Sequence, residues 1–358
     1  MRLALSALAL CFAASSALAQ ANLPNHKEAD YVIKDFRFAS GESLSELKMH
    51  YRTFGTPKKN AAGDVTNAVL LLHGTSGSGE SWIVPSLANE LFQKGQPLDA
   101  SEYYIVIPDA MGRAGSSKPS DGLKGKFPHY RYRDIVESEY RFLTQGLGIK
   151  HLRLVMGASM GGMQTWMWGE MYPGLMDGLV PIASQPVQIS GRNWINRRIR
   201  IEAIKNDPGY MNGFYEKNPT FWAYIAPMGA MGTDNAARIQ EEASSLDTAD
   251  AMYKKLVAAA VKNDANDTLY GIEAVMDYDP SKDLEKIKAK LLAINFEDDE
   301  ANPPDLANVE PAVKRIGPHA RQIVIPEGKQ SHGHYTYFRG AIWKNHLAEF
   351  LKSLPPAK

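Results

Sequence analysis

The segment LRLVMGASMGGMQTW, residues 152–166, constrains this chain more than any other. A leucine- and valine-rich run of strand length ends in Gly157, Ala158 and Ser159, and a helical run follows from Met160 to Met171. A strand that passes into a helix through such small residues implies a turn too tight for larger side chains. Similar short apolar runs recur: AVLLLHG from Ala68, YYIVIPD from Tyr103, GLVPIAS from Gly178, KLLAINF from Lys290 and RQIVIPEG from Arg321. Near-continuous apolar runs of this length suit strands covered on both faces, as in a parallel sheet. Helical periodicity lies between some of them. In RDIVESEYRFLTQGLGI, Val136, Tyr140, Leu143 and Leu147 share a face and Gly148 follows as a stop. At the C-terminus Trp343, Leu347, Phe350 and Leu351 do the same. Strand and helix in alternation predict an α/β layer fold with a mostly parallel central sheet flanked by helices.

Two stretches depart from that rhythm. YVIKDFRF and LKMHYRTFG alternate polar and apolar residues and predict an antiparallel edge hairpin. From about Gln185 to Lys282 no central strand is evident; WINRRIRIEAIKN, AARIQEEASSLDTADAMYKKLVAAAVKN and TLYGIEAVMDY read as helices. Because strands resume at Lys290, residues 185–282 are predicted to be a helical cap inserted into a core made of residues 20–184 and 283–358.

The first residues stand outside this scheme. MRLALSALALCFAASSALAQ has Arg2, an apolar run and Ala17-Leu18-Ala19, the pattern of a signal peptide (residues 1–19) cleaved after Ala19. The run is too short and too broken by serines for a membrane span. Leu10 before Cys11 argues against a lipid anchor. Cleavage would remove the chain's one cysteine and with it any disulfide. The expected location is the periplasm or the exterior of a bacterial cell. With 40 Lys and Arg against 40 Asp and Glu, neither nucleic acid nor a membrane is expected as a partner.

Gly157-x-Ser159-x-Gly161 after a strand and before a helix is the setting of a nucleophile elbow, which exposes a serine hydroxyl at a helix N-terminus rich in unpaired N–H groups. A serine hydroxyl needs a base. In this fold class the acid follows a late strand and the histidine comes near the end. FEDDE after the strand at Lys290 offers the acids 297–300, and the loop after the last strand offers His332 and His334. From the residues alone, Asp298 and Asp299 remain alternatives, as do the two histidines. The amides of Met160 and of Thr75, in HGTSGSG, are the expected oxyanion donors. His73 reads as a structural turn residue. The Gly/Ser-rich turn at 108–119 lacks the Lys-Ser/Thr ending of a phosphate-binding loop. The His-x-His pair has no neighbouring cluster to complete a metal site, and no cofactor is implied.

With these residues in view, the chain resembles the α/β-hydrolase superfamily, and within it the homoserine O-acetyltransferase-like branch. The resemblance rests on FPHYRYRDIV and on LGIKHLRLVMGASMGGMQTWMWGEMYPGLMDGLVPIAS. It implies Ser159 as nucleophile, Asp299 four residues before Pro303 as the acid, and His334 in Gly333-His334 as the base. It also implies two departures. The family's Asp after the catalytic His is Tyr335 here. Its substrate-gripping Arg aligns with Ile201, with Arg200 one residue earlier, about 100° away around a helix. Arg200, Tyr335 and Trp194 are the candidate substrate-binding residues, and Trp222 and Tyr224 candidate pocket aromatics. The family implies a homodimer through the cap.

The expectation drawn from this is a secreted serine hydrolase cleaving a small-molecule ester, thioester or activated amide through a Ser-His-Asp triad. The alternative is an O-acyltransferase using the same residues, and a remoter one is a non-catalytic binding protein on this scaffold.

Overall fold

The apolar runs become one sheet. The computed structural model describes residues 26–356, so the expected signal segment lies outside the described residues. Eight strands lie in the order β1-β2-β4-β3-β5-β6-β7-β8. They are β1 (His26–Arg37), β2 (Ser43–Phe54), β3 (Ala68–Leu72), β4 (Tyr104–Pro108), β5 (Leu152–Ala158), β6 (Met176–Ile182), β7 (Lys290–Phe296) and β8 (Ala320–Ile325). β2 runs antiparallel to both β1 and β4, and all the other pairings are parallel. The hairpin expected at the edge is therefore β1–β2.

Parallel strands need crossovers, and helices supply them. They are α1 (Pro85–Leu91), α2 (Tyr132–Arg141), α3 (Met160–Met171), α4 (Gly191–Lys205), α5 (Ala226–Met231), α6 (Ala236–Glu242), α7 (Leu246–Ala260), α8 (Ala265–Glu273), α9 (Val309–Ile316) and α10 (Gly340–Ser353). Between β6 and β7 the chain is helical, with α4 to α8 in sequence.

Side chains alternate across the sheet and divide the interior in two. Ala68, Leu70 and Leu72 of β3 join a core with α2, α3, α4 and α8, whereas Val69 and Leu71 join one with α1 and α10. The C-terminal face is as read: Trp343, Leu347, Phe350 and Leu351 of α10 are buried in the second core, each such side chain contributing roughly 1.5–3 kcal/mol. The polar end of α2 ties the hairpin down. Asp134 accepts the N–H of Arg131 at 2.8 Å and that of Ala39 at 2.7 Å.

Two helical readings change in detail. The segment that starts as α2 does not stay α-helical to Gly148; residues 142–146 widen into a π turn, which buries Phe142 and Leu143 against the sheet. The stretch 236–263 is two helices, because Ser245 caps α7 by accepting the Thr248 N–H while Thr248 Oγ1 accepts the Ser245 N–H. Among the described residues no helix is long and apolar enough to cross a membrane.

Candidate active site

The turn at Ser159 is as tight as its small residues imply. Ser159 has φ 57° and ψ −116°, a strained setting for a residue with a side chain. It is locked by its N–H to Ile182 O at 2.9 Å and by the Met163 N–H to its own carbonyl at 2.9 Å. The neighbours must be glycine because strands press on both sides. A Cβ on Gly161 would lie 2.2 Å from the Leu72 carbonyl oxygen of β3, and one on Gly162 would lie 2.5 Å from that of Ile182 in β6. Sterics of the sheet thus fix where the hydroxyl points.

One distant loop meets that hydroxyl and a second holds the first. His334 Nε2 lies 2.8 Å from Ser159 Oγ, and His334 Nδ1 lies 2.8 Å from Asp299 Oδ2. Asp299 is held in turn. Its Oδ1 accepts the N–H groups of Ala301 and Asn302 at 2.9 and 3.0 Å, and its side chain is fully shielded from water. With Nδ1–H donating to the carboxylate, Nε2 is left as an acceptor for the serine proton. Such an array takes a proton from a hydroxyl and steadies the resulting imidazolium.

The rival candidates sit elsewhere. His332 Nε2 accepts from Arg339, and burial, helped by that guanidinium, lowers its pKa. Asp298 accepts the Gly333 N–H at 2.7 Å and the Asn235 amide at 2.8 Å; it shapes the histidine's loop without touching the ring. Glu297 accepts the Glu327 N–H, and Glu300 pairs with Arg192.

The loop after β3 lies against the serine: a Cβ on Gly74 would be 3.5 Å from Ser159 Cβ. His73 holds that loop, donating from Nδ1 to Gly74 O at 2.8 Å and accepting the Ala110 N–H on Nε2 at 2.9 Å. Burial pulls its pKa down to about 4, so it is a neutral strut. Thr75 follows in the same loop, and Met160 is the first residue of α3, where an N–H has no intrahelical acceptor. Both amides are thus in the elbow's neighbourhood.

Of the candidate substrate contacts, Tyr335 is 37% exposed and its ring lies 6.0 Å from that of His334. Arg200 is near Tyr335 despite its offset from the family position, while Ile201 is buried in the core. Trp194 is half-buried against the core, and Trp222 is buried with its indole donating to Pro219 O; both pack like structural residues. Tyr224 is exposed.

Sequence reasoning missed three contributors. Tyr337 packs its ring edge-on to His334 at 5.7 Å. Thr233 O accepts the His334 N–H at 2.8 Å, and Asn235 spans Asp298 and Glu327. The last two come from the helical segment between β6 and β7, and no local motif marks them. Among the described residues no group of three or more His, Cys, Asp or Glu is placed to hold a metal ion.

Comparison with known proteins bears on the fold and on the kind of enzyme. The alpha/beta hydrolase fold family matches residues 67–225. A probable acyltransferase of Methanothermobacter thermautotrophicus is 30% identical over 78% of this chain and 85% of its own length. The homoserine O-acetyltransferase of Moorella thermoacetica is 34% identical over 49% of this chain, a match spanning 50% of that protein. Among solved structures, the homoserine O-acetyltransferase of Bacillus anthracis superposes with a TM-score of 0.79 at 21% identity, over 93% of this chain and 99% of that one. An acetylester hydrolase of Corynebacterium glutamicum gives 0.79 at 22% identity, over 91% and 96%; at such identities these two attest the fold alone. By its sequence kinship and its fold, the chain belongs to the α/β-hydrolase superfamily, in its homoserine O-acetyltransferase-like branch, and is an acyl-transferring enzyme of the esterase and acyltransferase kind.

Proposed function

We propose that Ser159, His334 and Asp299 form the catalytic relay of a serine O-acyltransferase. Ser159 Oγ attacks the carbonyl of an acyl donor while His334 Nε2 takes its proton. The amides of Thr75 and Met160 receive the oxyanion. His334 then protonates the leaving group, and the acyl group remains as an ester on Ser159. An acceptor alcohol gives its proton to His334, attacks that ester and leaves acylated, with the proton returned to Ser159. The single observation that carries this reading is the 2.8 Å contact on each side of the His334 ring. The weight moves from water to an alcohol as acceptor because the two sequence relatives described above are named as acyltransferases. Homoserine as that alcohol is disfavoured by Tyr335 and Ile201, which stand where the branch has charged clamps.

The second reading, ester hydrolysis by a secreted enzyme, draws on the partial exposure of Ser159 and Tyr335, which leaves water a route to the acyl-enzyme. The deciding experiment supplies an activated ester with and without small alcohols and follows free acid against new ester. Ester exchange that outpaces acid release supports transfer; acid release unaffected by alcohols leaves hydrolysis. A fluorophosphonate probe is expected to label the wild-type protein and not Ser159→Ala. Labelling of the alanine variant at the wild-type rate sinks both readings. Export is proposed from residues 1–19 and is checked by N-terminal sequencing of the mature protein, expected to begin at Gln20.

A further inference from the structure

The Gly/Ser-rich turn at 108–119 that follows β4 has no part in the relay, yet the loop after β3 leans on it. That loop folds back at residues 74–77, where the Gly77 N–H donates to Gly74 O at 3.0 Å. Thr75 and Ser76 are thus the central residues of a tight turn. Two consecutive residues of the 108–119 turn hold its flanks. On the near side, His73 joins Gly74 O to the Ala110 N–H. On the far side, the Gly79 N–H donates to Asp109 Oδ1 at 2.7 Å. Gly79 has to be bare there, since a Cβ would lie 3.0 Å from Arg52 Nη1 and 3.2 Å from Asp109 Oδ1.

The Asp109 carboxylate is fully buried, and a charge so placed needs a partner. Arg52 of β2 supplies it, with Nη1 2.9 Å from the same Oδ1, while Oδ2 accepts the Gly115 N–H at 3.0 Å. The guanidinium is itself only 6% exposed. Its remaining edges donate to Glu28 from Nε at 3.1 Å and to Glu80 from Nη2 at 3.3 Å. Glu80 is the residue after Gly79, so Arg52 grips the far end of the loop twice, once through Asp109 and once directly. The sheet anchors the assembly. Asp109 donates its N–H to His50 O at 2.8 Å, and Ser116 Oγ accepts the His50 N–H at 2.9 Å while donating to Asp109 O at 2.6 Å. A buried ion pair is weak ground for stability, but its hydrogen bonds are directional. What this one fixes is the place of the Gly79 N–H relative to β2 and β4.

We infer that Arg52 and Asp109 are positioning residues for the oxyanion loop: through Gly79 and Glu80 they hold the far end of the turn whose Thr75 amide meets the negative charge developing at Ser159. This rests on the acyl-transfer reading above. An oxyanion donor is effective because it already points at the place the oxygen will occupy. With the far end loose, the turn keeps its His73 tether on one side only, and the Thr75 amide loses its aim. The Met160 amide, fixed by α3, still donates, so the expected loss is smaller than that of the whole oxyanion hole.

The full chain is compared with Asp109→Asn and Gly79→Ala on an activated ester. Asp109→Asn keeps the shape and removes the charge that draws Arg52; Gly79→Ala keeps both charges and presses a methyl between them and the loop. Each is expected to lower kcat by about 10- to 100-fold, with KM within about threefold. The readout specific to the oxyanion is an alkylboronic acid of the same chain length as the acyl group, which becomes tetrahedral on Ser159. Its Ki should rise by about the factor that kcat falls, while the Ki of the matching planar amide stays within about threefold. If Asp109→Asn fails to fold, Gly79→Ala and Arg52→Lys make the same comparison. Wild-type kcat in the folded variants overturns the positioning role, and so does a fall in rate with an unchanged boronate Ki; either result leaves Ser159 in its place. Boronate binding that weakens in the variants of a protein that transfers no acyl group keeps the positioning role and overturns the acyl-transfer reading. A wild type that neither binds the boronate nor turns over an ester overturns both.

Discussion

Two adjacent aspartates at the end of β7 serve the same histidine in different ways, and exchanging each for asparagine separates them. Asp299 touches the ring: Oδ2 accepts from Nδ1, and Oδ1 is held by two backbone N–H groups. Asp299→Asn keeps the shape but removes the charge that favours Nδ1–H. The serine then faces the wrong tautomer or an uncompensated imidazolium, and a loss of about 10⁴ in kcat is expected. Asp298 touches only the backbone of the loop, through the Gly333 N–H, and the cap segment, through Asn235. Asp298→Asn retains one acceptor oxygen. Hydrogen bonds to a charged group are worth about 1.5–3 kcal/mol and neutral ones about 0.5–1.5, so two weakened bonds lose roughly 2 kcal/mol together. Even if all of it fell on the alignment of His334, the rate would drop about 30-fold. Initial rates on one activated ester, fluorophosphonate labelling rates and thermal melts on the three proteins give the comparison. Asp298→Asn should melt earlier and react somewhat slower. Asp299→Asn should melt near the wild type and scarcely react. An Asp298→Asn variant as inactive as Asp299→Asn, with its fold intact, would refute the division of labour.

Three further outcomes follow from the same structure. Gly333→Ala places a Cβ 2.8 Å from Thr233 O at a φ of 57°, so a loss of about 1–2 kcal/mol is expected in chemical denaturation, with a fall in kcat because His334 is the next residue. Glu139 is fully buried, accepting only from Trp168 Nε1 at 3.0 Å, and burial raises its pKa from 4.5 to about 8. The unfolded chain therefore releases that proton first, and stability falls as pH rises from about 4.5 to about 8, by up to about 1.4 kcal/mol per pH unit. Glu139→Gln should flatten that slope in denaturation midpoints taken at pH 5 and pH 8; an unchanged slope would mean the carboxyl ionises freely. Trp343, wholly buried in α10, donates to Tyr337 O at 3.0 Å. Trp343→Phe is expected to cost about 1–3 kcal/mol in melting experiments, with a smaller effect on rate through the Tyr337 ring that packs on His334.

What could be read in advance followed from how far each feature reaches along the chain. Strands buried on both faces announce themselves as unbroken apolar runs, and each such run became a strand, although β8 lies at the sheet edge and is only partly covered. The elbow was equally legible, because the clash of Gly161 and Gly162 with the neighbouring strands is imposed at those positions themselves. α3 had no usable periodicity: it is buried nearly all round, and only the elbow in front of it marked its start. The choice of Asp299 and His334 over their near neighbours needed family resemblance, since loops carry no period and a shift of one or two residues changes everything. The π turn after α2 was missed because no residue pattern marks it, whereas the break at Ser245 had a local signal, the Ser245–Thr248 capping pair, inside a stretch read as helical.

The least legible features are those that link the helical segment to the chemistry. Thr233 and Asn235 hold the His334 loop from about a hundred residues away in sequence. Neither belongs to a motif, since a backbone carbonyl or a lone amide leaves no pattern to recognise. The segment between β6 and β7 therefore holds the loop that carries His334, through Thr233 O and the Asn235 side chain. Asn235→Ala should on that account lower kcat, whereas a residue that served only to admit substrate would change KM alone.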